Sequence, residues 1–465
     1  MADYKIIYPS NITYSCICCG SCCERWQIQI SEAEAQRFSA DDWPGILKLA
    51  GCQGATDAGC GVYQPREEVS VELKKSKYLS HKTSLKYNLK MQKNGRCIFL
   101  DANSLCAMHA ARGIDYKAFT CKSFPVKFLY LPGNIVQLSY SFFCPGVVNN
   151  SNALLDEAFI KKLIEEDNDK TIVSDVLEIS DGVEIDFSAM LLINHFISDF
   201  MFAENNASHL NDIDYCRDES FWNKYSSAMT LDKRMAVALY MVIFMAKLAS
   251  KLRGEDPLGY LERFKSEISN REALKKLIER SCEIYDAAQA KNYAPLILMA
   301  FISLHQISRK EISNFKRIFI ILSNMLKCSM KMGSFTMVDL DVAISFKALA
   351  SVKFDIDNIE LSSFFEKYIS HIIYRKISFF SSNVIKAYQY IALFYSLVKW
   401  YSKIFAAVRK DSVVNIEDLR KAISFMEKNF VGHSMLLQVL ETNKNFDNIF
   451  NPIFSNYAII KSLTI

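Results

Sequence analysis

Five cysteines stand in the eight-residue run Cys16-Ile17-Cys18-Cys19-Gly20-Ser21-Cys22-Cys23, and eleven of the fourteen in the chain fall at or before Cys144. A disulfide needs its two Cα atoms about 4.4–6.8 Å apart in a specific geometry, which near neighbours meet poorly. Thiolates that bind a soft ion are distributed the opposite way: several come from one tight loop and others arrive from distant segments. The run therefore reads as part of a ligand set, and it restricts the fold to one that returns remote sulfur atoms to this loop.

Composition changes near residue 150. Ten of the fifteen glycines precede it, while Cys216, Cys282 and Cys328 are scattered through long stretches patterned like helices. With 465 residues, half of them hydrophobic, the chain has material for two or three domains. The expected fold class is α+β: a small cysteine-cluster metal-binding domain with short hairpins over 1–150, then a large, mainly α-helical domain over 151–465. The N-terminus carries no basic stretch followed by a long apolar core, so no secretory signal is expected. A cytoplasmic, reducing location follows, where dense cysteine usage serves metal binding or redox chemistry. A net charge of +4 names no nucleic-acid partner. The longest apolar runs, 235–246, 294–304 and 318–322, fall short of the roughly 18 residues that suggest a membrane span, and read as buried helices.

Apolar residues three and four apart predict helices over 235–252, 260–276, 295–305, 311–327, 363–377, 383–408 and 416–429. Asp232, Ser308 and Asn415 can accept a free backbone N–H at helix starts. Residues 177–179 and 183–187 flank Asp181-Gly182 as a small hairpin. The many Phe and Tyr of these helices read as core. Seven lysines and His81 lie between 74 and 93 with no acid from Leu73 to Leu100. That segment reads as a solvated loop, with docking of an acidic or phosphate-bearing partner as its functional alternative. The glycine-rich stretch 51–61 lacks the Gly-Lys-Ser/Thr ending of a phosphate loop and reads as a surface loop with Cys52 and Cys60 free. His195, His209, His305, His371 and His433 show no partner spacing.

Cys16, Cys19 and Cys22 follow the C-x2-C-x2-C step, and Gly20 lets the backbone fold toward sulfur. Cys18 and Cys23 sit between or beside them, able to bind a second ion, cap the site or fill space. Cys97 and Cys106 flank an apolar segment and an Asp/Asn/Ser turn, so a turn centred on Asp101-Ala102 would make them cross-strand neighbours. A second hairpin, 126–130 and 135–143 about Leu131-Pro132-Gly133-Asn134, would return Cys144 towards Cys121. The candidate ligands Cys16, Cys19, Cys22, Cys23, Cys97, Cys106, Cys121 and Cys144 suit two tetrahedral zinc sites, or one four-iron cluster (4Fe-4S) with a second site. The C-x2-C-x2-C step and the Cys144-Pro145 pair favour iron, and an inert structural zinc domain is the alternative. His109, three residues after Cys106, is either a ligand, a proton carrier or a structural histidine. Glu24 and Arg25 read as surface charge.

In order, Cys16-x2-Cys19-x2-Cys22-Cys23, Cys97-Ile98-Phe99-Leu100-Asp101, Leu105-Cys106-Ala107-Met108-His109, Cys121-Lys122-Ser123-Phe124-Pro125 and Cys144-Pro145-Gly146 resemble the YkgJ-type CxxCxxCC cysteine-cluster family of zinc- or iron-chelating domains. That family includes flagellin lysine-N-methylases, and Trp26-Gln27-Ile28-Gln29-Ile30 with Cys106-x2-His109 is similar to that branch. The resemblance covers about the first 150 residues. It implies a metal-binding or iron–sulfur protein, a methyltransferase acting on a protein substrate such as flagellin with S-adenosylmethionine as methyl donor, or a non-catalytic scaffold or metal-handling protein. Cys18, Cys52 and Cys60 are additions to the family pattern, and Lys122 stands where many relatives have arginine. The chain has no Gly-rich strand–turn–helix for S-adenosylmethionine and no C-x3-C-x2-C step: after Cys18-x3-Cys22, position 25 is Arg25.

Overall fold

The computed structural model describes residues 4–9, 12–24, 28–52, 61–65, 79–81, 85–149, 156–168, 170–202, 219–289, 294–308, 314–337, 342–375, 383–431, 453–454 and 456–464. The chain divides into two units, Met1–Val173 and Ser174–Ile465. Together they are mixed α and β, with small sheets in the first and long helices in the second.

The first unit carries strands β1 (Lys5–Ile7), β2 (Gln29–Ser31), β3 (Tyr63–Pro65), β4 (Leu79–His81), β5 (Leu85–Leu89), β6 (Val126–Leu131), β7 (Ile135–Tyr140) and β8 (Thr171–Val173). Its helices are α1 (Glu32–Ser39), α2 (Trp43–Leu49), α3 (Ala107–Arg112), α4 (Phe119–Ser123), α5 (Pro145–Val148) and α6 (Glu157–Glu166). One sheet has the order β1-β7-β6-β8-β4, the other β2-β5-β3. The β6–β7 hairpin turns where the sequence predicts, with Gly133 and Asn134 both at positive φ. Strand β8 pairs with β6 and β4, so this unit runs past residue 150. Strands β4 and β5 also lie in the lysine-rich 74–93 segment, which is therefore not wholly a loop; residues 74–78 and 82–84 of it lie outside the described residues.

A core of Ile28, Ile30, Phe38, Trp43, Leu47, Ile98, Phe99 and Met108 joins α1, α2 and α3 to the smaller sheet. Trp43 fits because its indole N–H reaches the Phe38 carbonyl at 2.7 Å while its ring meets Phe99 edge to face at 4.9 Å. Cys52 belongs to the same core, at 4% exposure, rather than to a surface loop. Burial pushes its thiol up to about 11. Cys60 lies outside the described residues.

The second unit begins with the hairpin β9 (Val176–Ser180) and β10 (Val183–Asp186), turned at Asp181-Gly182 as expected. Helices follow: α7 (Phe187–Met201), α8 (Glu219–Ser226), α9 (Leu231–Glu255), α10 (Tyr260–Ser269), α11 (Arg271–Ala287), α12 (Ala294–Ser308) and α13 (Asn314–Ser329). After the hairpin β11 (Ser334–Met337) and β12 (Val342–Ser345) come α14 (Phe346–Ser351), α15 (Ile359–Arg375), α16 (Val384–Val408), α17 (Ile416–Met426) and α18 (Tyr457–Thr464). Asn415 caps α17 in a reciprocal capping box with Asp418. The cap of α9 is Thr230, two residues before the expected Asp232. Ser308 ends α12 instead of starting α13. The single helix expected over 260–276 is two, because the Asn270 side chain accepts from Ala273 N and opens a new helix.

Helices α9 and α16 are each 25 residues long and apolar enough by length and composition to cross a membrane, with mean hydropathy 1.7 and 1.3. Uninterrupted apolar runs understate both, because their apolar windows also contain charged residues. In this fold 67% and 72% of those windows are buried within the protein. Lys399 of α16 donates to Asp232 of α9 at 2.7 Å and to the Thr464 carbonyl at 3.0 Å. Arg234 of α9 pairs with Glu366 of α15. The expectation of buried helices holds for 235–246 and is overturned for 318–322, where Ile318, Phe319 and Leu322 are exposed.

Candidate metal centre

Glycine sets the position of the cysteine loop. Gly20 has φ +70, and a Cβ added there would come within 2.9 Å of Ser104 Cβ. Only a residue without a side chain lets the loop lie on the turn that precedes Cys106. Cys23 N then donates to the Gly20 carbonyl at 2.8 Å, closing a short 3-10 turn, Ser21–Cys23. The Cys23 carbonyl accepts from Cys97 N at 2.7 Å, and Glu24 pairs with Arg96 as an isolated bridge. Arg96 fastens the same contact with its side chain, reaching Glu24 at 3.4 Å, Ser104 Oγ at 3.1 Å and the Asp101 carbonyl at 3.2 Å. Glu24 is thus a structural partner; Arg25, Trp26 and Gln27 lie outside the described residues.

The segment from Cys97 to Cys106 turns at Asp101, whose Oδ1 accepts from Asn103 N at 2.9 Å and Leu105 N at 2.8 Å. Its register differs from the expected one. Cys106 pairs with Leu100 and Cys97 with Met91, so the two cysteines are not directly opposed. Buried Gln92 accounts for this, since its amide donates to the Cys97 and Leu100 carbonyls, both at 2.9 Å, and curls the chain before the turn. Cys106 becomes the residue before α3. His109 on α3 is exposed.

Cys121 sits on the five-residue helix α4, held from both sides. Glu34, which also caps α1, accepts from Phe119 N at 2.6 Å, and Thr120 donates to the Gln29 carbonyl at 3.0 Å. Lys122 is paired with Glu166. Cys144 precedes α5 at the open end of the β6–β7 hairpin. A Cβ on Gly146 would stand 2.5 Å from the Ser15 carbonyl, so the Cys144-Pro145-Gly146 turn lies against the segment leading to Cys16.

Sulfur atoms from separate segments therefore share one neighbourhood. Cys23, Cys106 and Cys121 pack against the core that contains Cys97. Cys22 and Cys23 Sγ are 3.8 Å apart. The hydrogen bond from Cys23, with help from Lys117, lowers the Cys22 thiol to about 7, against the effect of burial. Cys23 is pushed the other way by that bond, by burial and by the charges of Cys22, Cys97 and Cys121. Burial lifts Cys97 to about 12 and Cys144 to about 11, and it holds Cys121 well above the ordinary thiol range. Cys144 also feels Cys19 and Cys22. Every described cysteine is a free thiol. Cys16, Cys18 and Cys19 are exposed, and Cys16 interacts with the Tyr14 hydroxyl.

Lys117 was not singled out from the sequence. Burial works to lower its pKa, and the charges of Cys121, Cys106, Cys23 and Cys22 outweigh that and raise it. Its place four residues before Cys121 is the one signal of it that the sequence carries. Among the described residues, however, no three His, Cys, Asp or Glu side chains are arranged to hold a single ion. The thiols are gathered without being closed around a point.

No family model matches the chain. An uncharacterized protein of Methanocaldococcus jannaschii is 25% identical over 190 residues, which is 39% of this chain and 55% of that protein. The chain thus spans about half the length of the relative it matches. No solved structure matches.

Proposed function

We propose that the chain is a metal- or iron–sulfur-binding protein of the YkgJ type, with Cys16, Cys19, Cys22, Cys23, Cys97, Cys106, Cys121 and Cys144 as its ligand set. On this reading it modifies a protein substrate in the manner of flagellin lysine-N-methylase. The observation that carries the reading is the gathering of free thiols from four remote segments, Cys23, Cys106 and Cys121 on the core that contains Cys97, with the half-buried Lys117 feeling their charge. Thiolates suit zinc and iron–sulfur centres alike. The donor set fits a soft centre in its chemistry, and closing it requires side chains to turn inward from positions where no three yet meet. A four-iron cluster would supply electron transfer, and S-adenosylmethionine the methyl group. Within the chain, Lys117 offsets the charge of the thiolates, Arg96 and Gln92 fix the backbone around Cys97, and Glu34 fixes α4 beneath Cys121.

A second reading, a non-catalytic zinc- or iron-binding scaffold, is favoured by one feature: Cys97 is part of the apolar core and Cys23, Cys106 and Cys121 pack on it. A centre so placed would contribute folding energy outright. Anaerobic purification followed by metal and acid-labile sulfide analysis separates the two. Iron, sulfide and broad visible absorption support the cofactor, and a colourless zinc protein supports the scaffold. Protein isolated with neither metal, and unable to take either up, removes both. Incubation with S-adenosylmethionine and flagellin then tests methylation directly, since no mass increment on lysine eliminates the enzyme reading.

A further inference from the structure

Helix α13 turns its large apolar side chains outward. Phe315 is 82% exposed, Phe319 66%, Leu322 and Leu326 each 59%, and Ile318 57%. Their spacing of three, four and seven puts all five on one stripe. The opposite side faces the fold: Cys328 is buried, and Asn324 donates to Ser303 Oγ of α12 at 3.1 Å. A solvated helix would carry polar residues on the outer face, so the stripe needs a covering surface.

Charge narrows the choice of that surface. From Asn314 to Gly333 the sequence holds Lys316, Arg317, Lys327 and Lys331 and no acid. Lys316 and Lys327 fall about 100–120° around the helix from Phe315, on one flank of the stripe. Two copies pairing through this face would bring like charges together, which disfavours a homodimer. At 16 residues the helix is about 24 Å long, too short to span a bilayer and long enough to lie along its surface. Aromatic and aliphatic residues on one side with lysines beside them are the composition of a helix seated at a lipid interface. We propose that α13 docks the protein onto an anionic membrane surface, its apolar stripe entering the headgroup boundary and its cations meeting acidic headgroups.

Co-sedimentation of the full chain with lipid vesicles tests this. The protein should pellet with phosphatidylcholine vesicles containing about one-third phosphatidylserine, stay in solution with phosphatidylcholine alone, and release in about 0.5 M salt. The double variant Phe319→Glu/Leu322→Glu, altered only at exposed positions, should keep its helical circular dichroism and bind at least about tenfold more weakly. Lys327→Glu/Lys331→Glu should weaken binding to the acidic vesicles too. The proposal is overturned if the protein does not pellet with acidic vesicles, if it pellets equally with neutral ones, or if the Phe319/Leu322 variant pellets as well as the parent. A concentration-dependent dimer in sedimentation equilibrium, abolished by that variant, would assign the stripe to a second copy and overturn it as well.

Discussion

At the scale of single residues, two glycines fix the cysteine neighbourhood. Gly20 needs a left-handed backbone and has Ser104 Cβ 2.9 Å from where its own Cβ would stand, so Gly20→Ala should cost about 1–2 kcal/mol from the backbone alone. Gly146→Ala meets a carbonyl oxygen, not a movable side chain, and should cost about 1–3 kcal/mol as an overpacked contact. Urea unfolding of the full chain, followed by tryptophan fluorescence in a Trp222→Phe/Trp400→Phe background so that the first unit reports alone, reads both, and a Gly146→Ala protein as stable as that background would refute the close approach. Cysteine replacements separate ligands from fillers. Cys97→Ser should lower the bound metal per chain, whereas Cys52→Ser, which buries a hydroxyl outside the proposed set, should leave that ratio unchanged. Equal loss from both would place the effect in folding and not in ligation.

At the scale of elements, the parts legible in the sequence were those with local causes. Asp181-Gly182 and Pro132-Gly133-Asn134 force turns whatever surrounds them, so both hairpins appear where expected. Asn415 caps α17 because a capping box is settled within four residues. Positions decided by distant groups were not legible. The register of Cys97 depends on the Gln92 amide, and the outward face of 318–322 depends on which side of α13 meets α12. An apolar run cannot say which of its faces will be covered. Nor did spacing reveal the pairing of α15 with the turn after α17. There Arg375 donates to both carboxylate oxygens of Glu427, at 3.0 and 2.9 Å, and Tyr368 adds a bond at 3.1 Å. The pair is nearly inaccessible, with side-chain exposures of 4% and 0%. Glu427→Gln leaves a buried guanidinium without its counter-charge and should cost about 3–5 kcal/mol. The double variant Arg375→Met/Glu427→Leu should recover much of that loss in chemical denaturation, because it removes both desolvated charges. If the double variant were as unstable as the single, the ion pair would be contributing net stability of its own.

At the scale of the whole molecule, the two units differ in what can hold them together. The second buries long apolar helices, α9 and α16 above all, and has ample hydrophobic material of its own. The first relies on short elements, helices of four to ten residues and strands of three to six, around a core that includes Cys97 and Cys52. Its thiols carry a further cost, since Cys23, Cys97 and Cys121 are desolvated near one another and Cys144 is desolvated near Cys22. A bound soft cation would convert that crowding from a liability into a source of folding energy, because ligation of thiolates is lost when the chain unfolds. Removing the metal should therefore act on one unit alone. Calorimetry of the metal-loaded chain should give two transitions, and a strong chelator should lower only the one that tryptophan fluorescence in a Trp222→Phe/Trp400→Phe background assigns to the first unit. Helical circular dichroism, dominated by the second unit, should fall little after chelation. A single transition that moves as a whole, or a first unit equally stable with and without metal, would show that the cysteines are packing residues and not ligands.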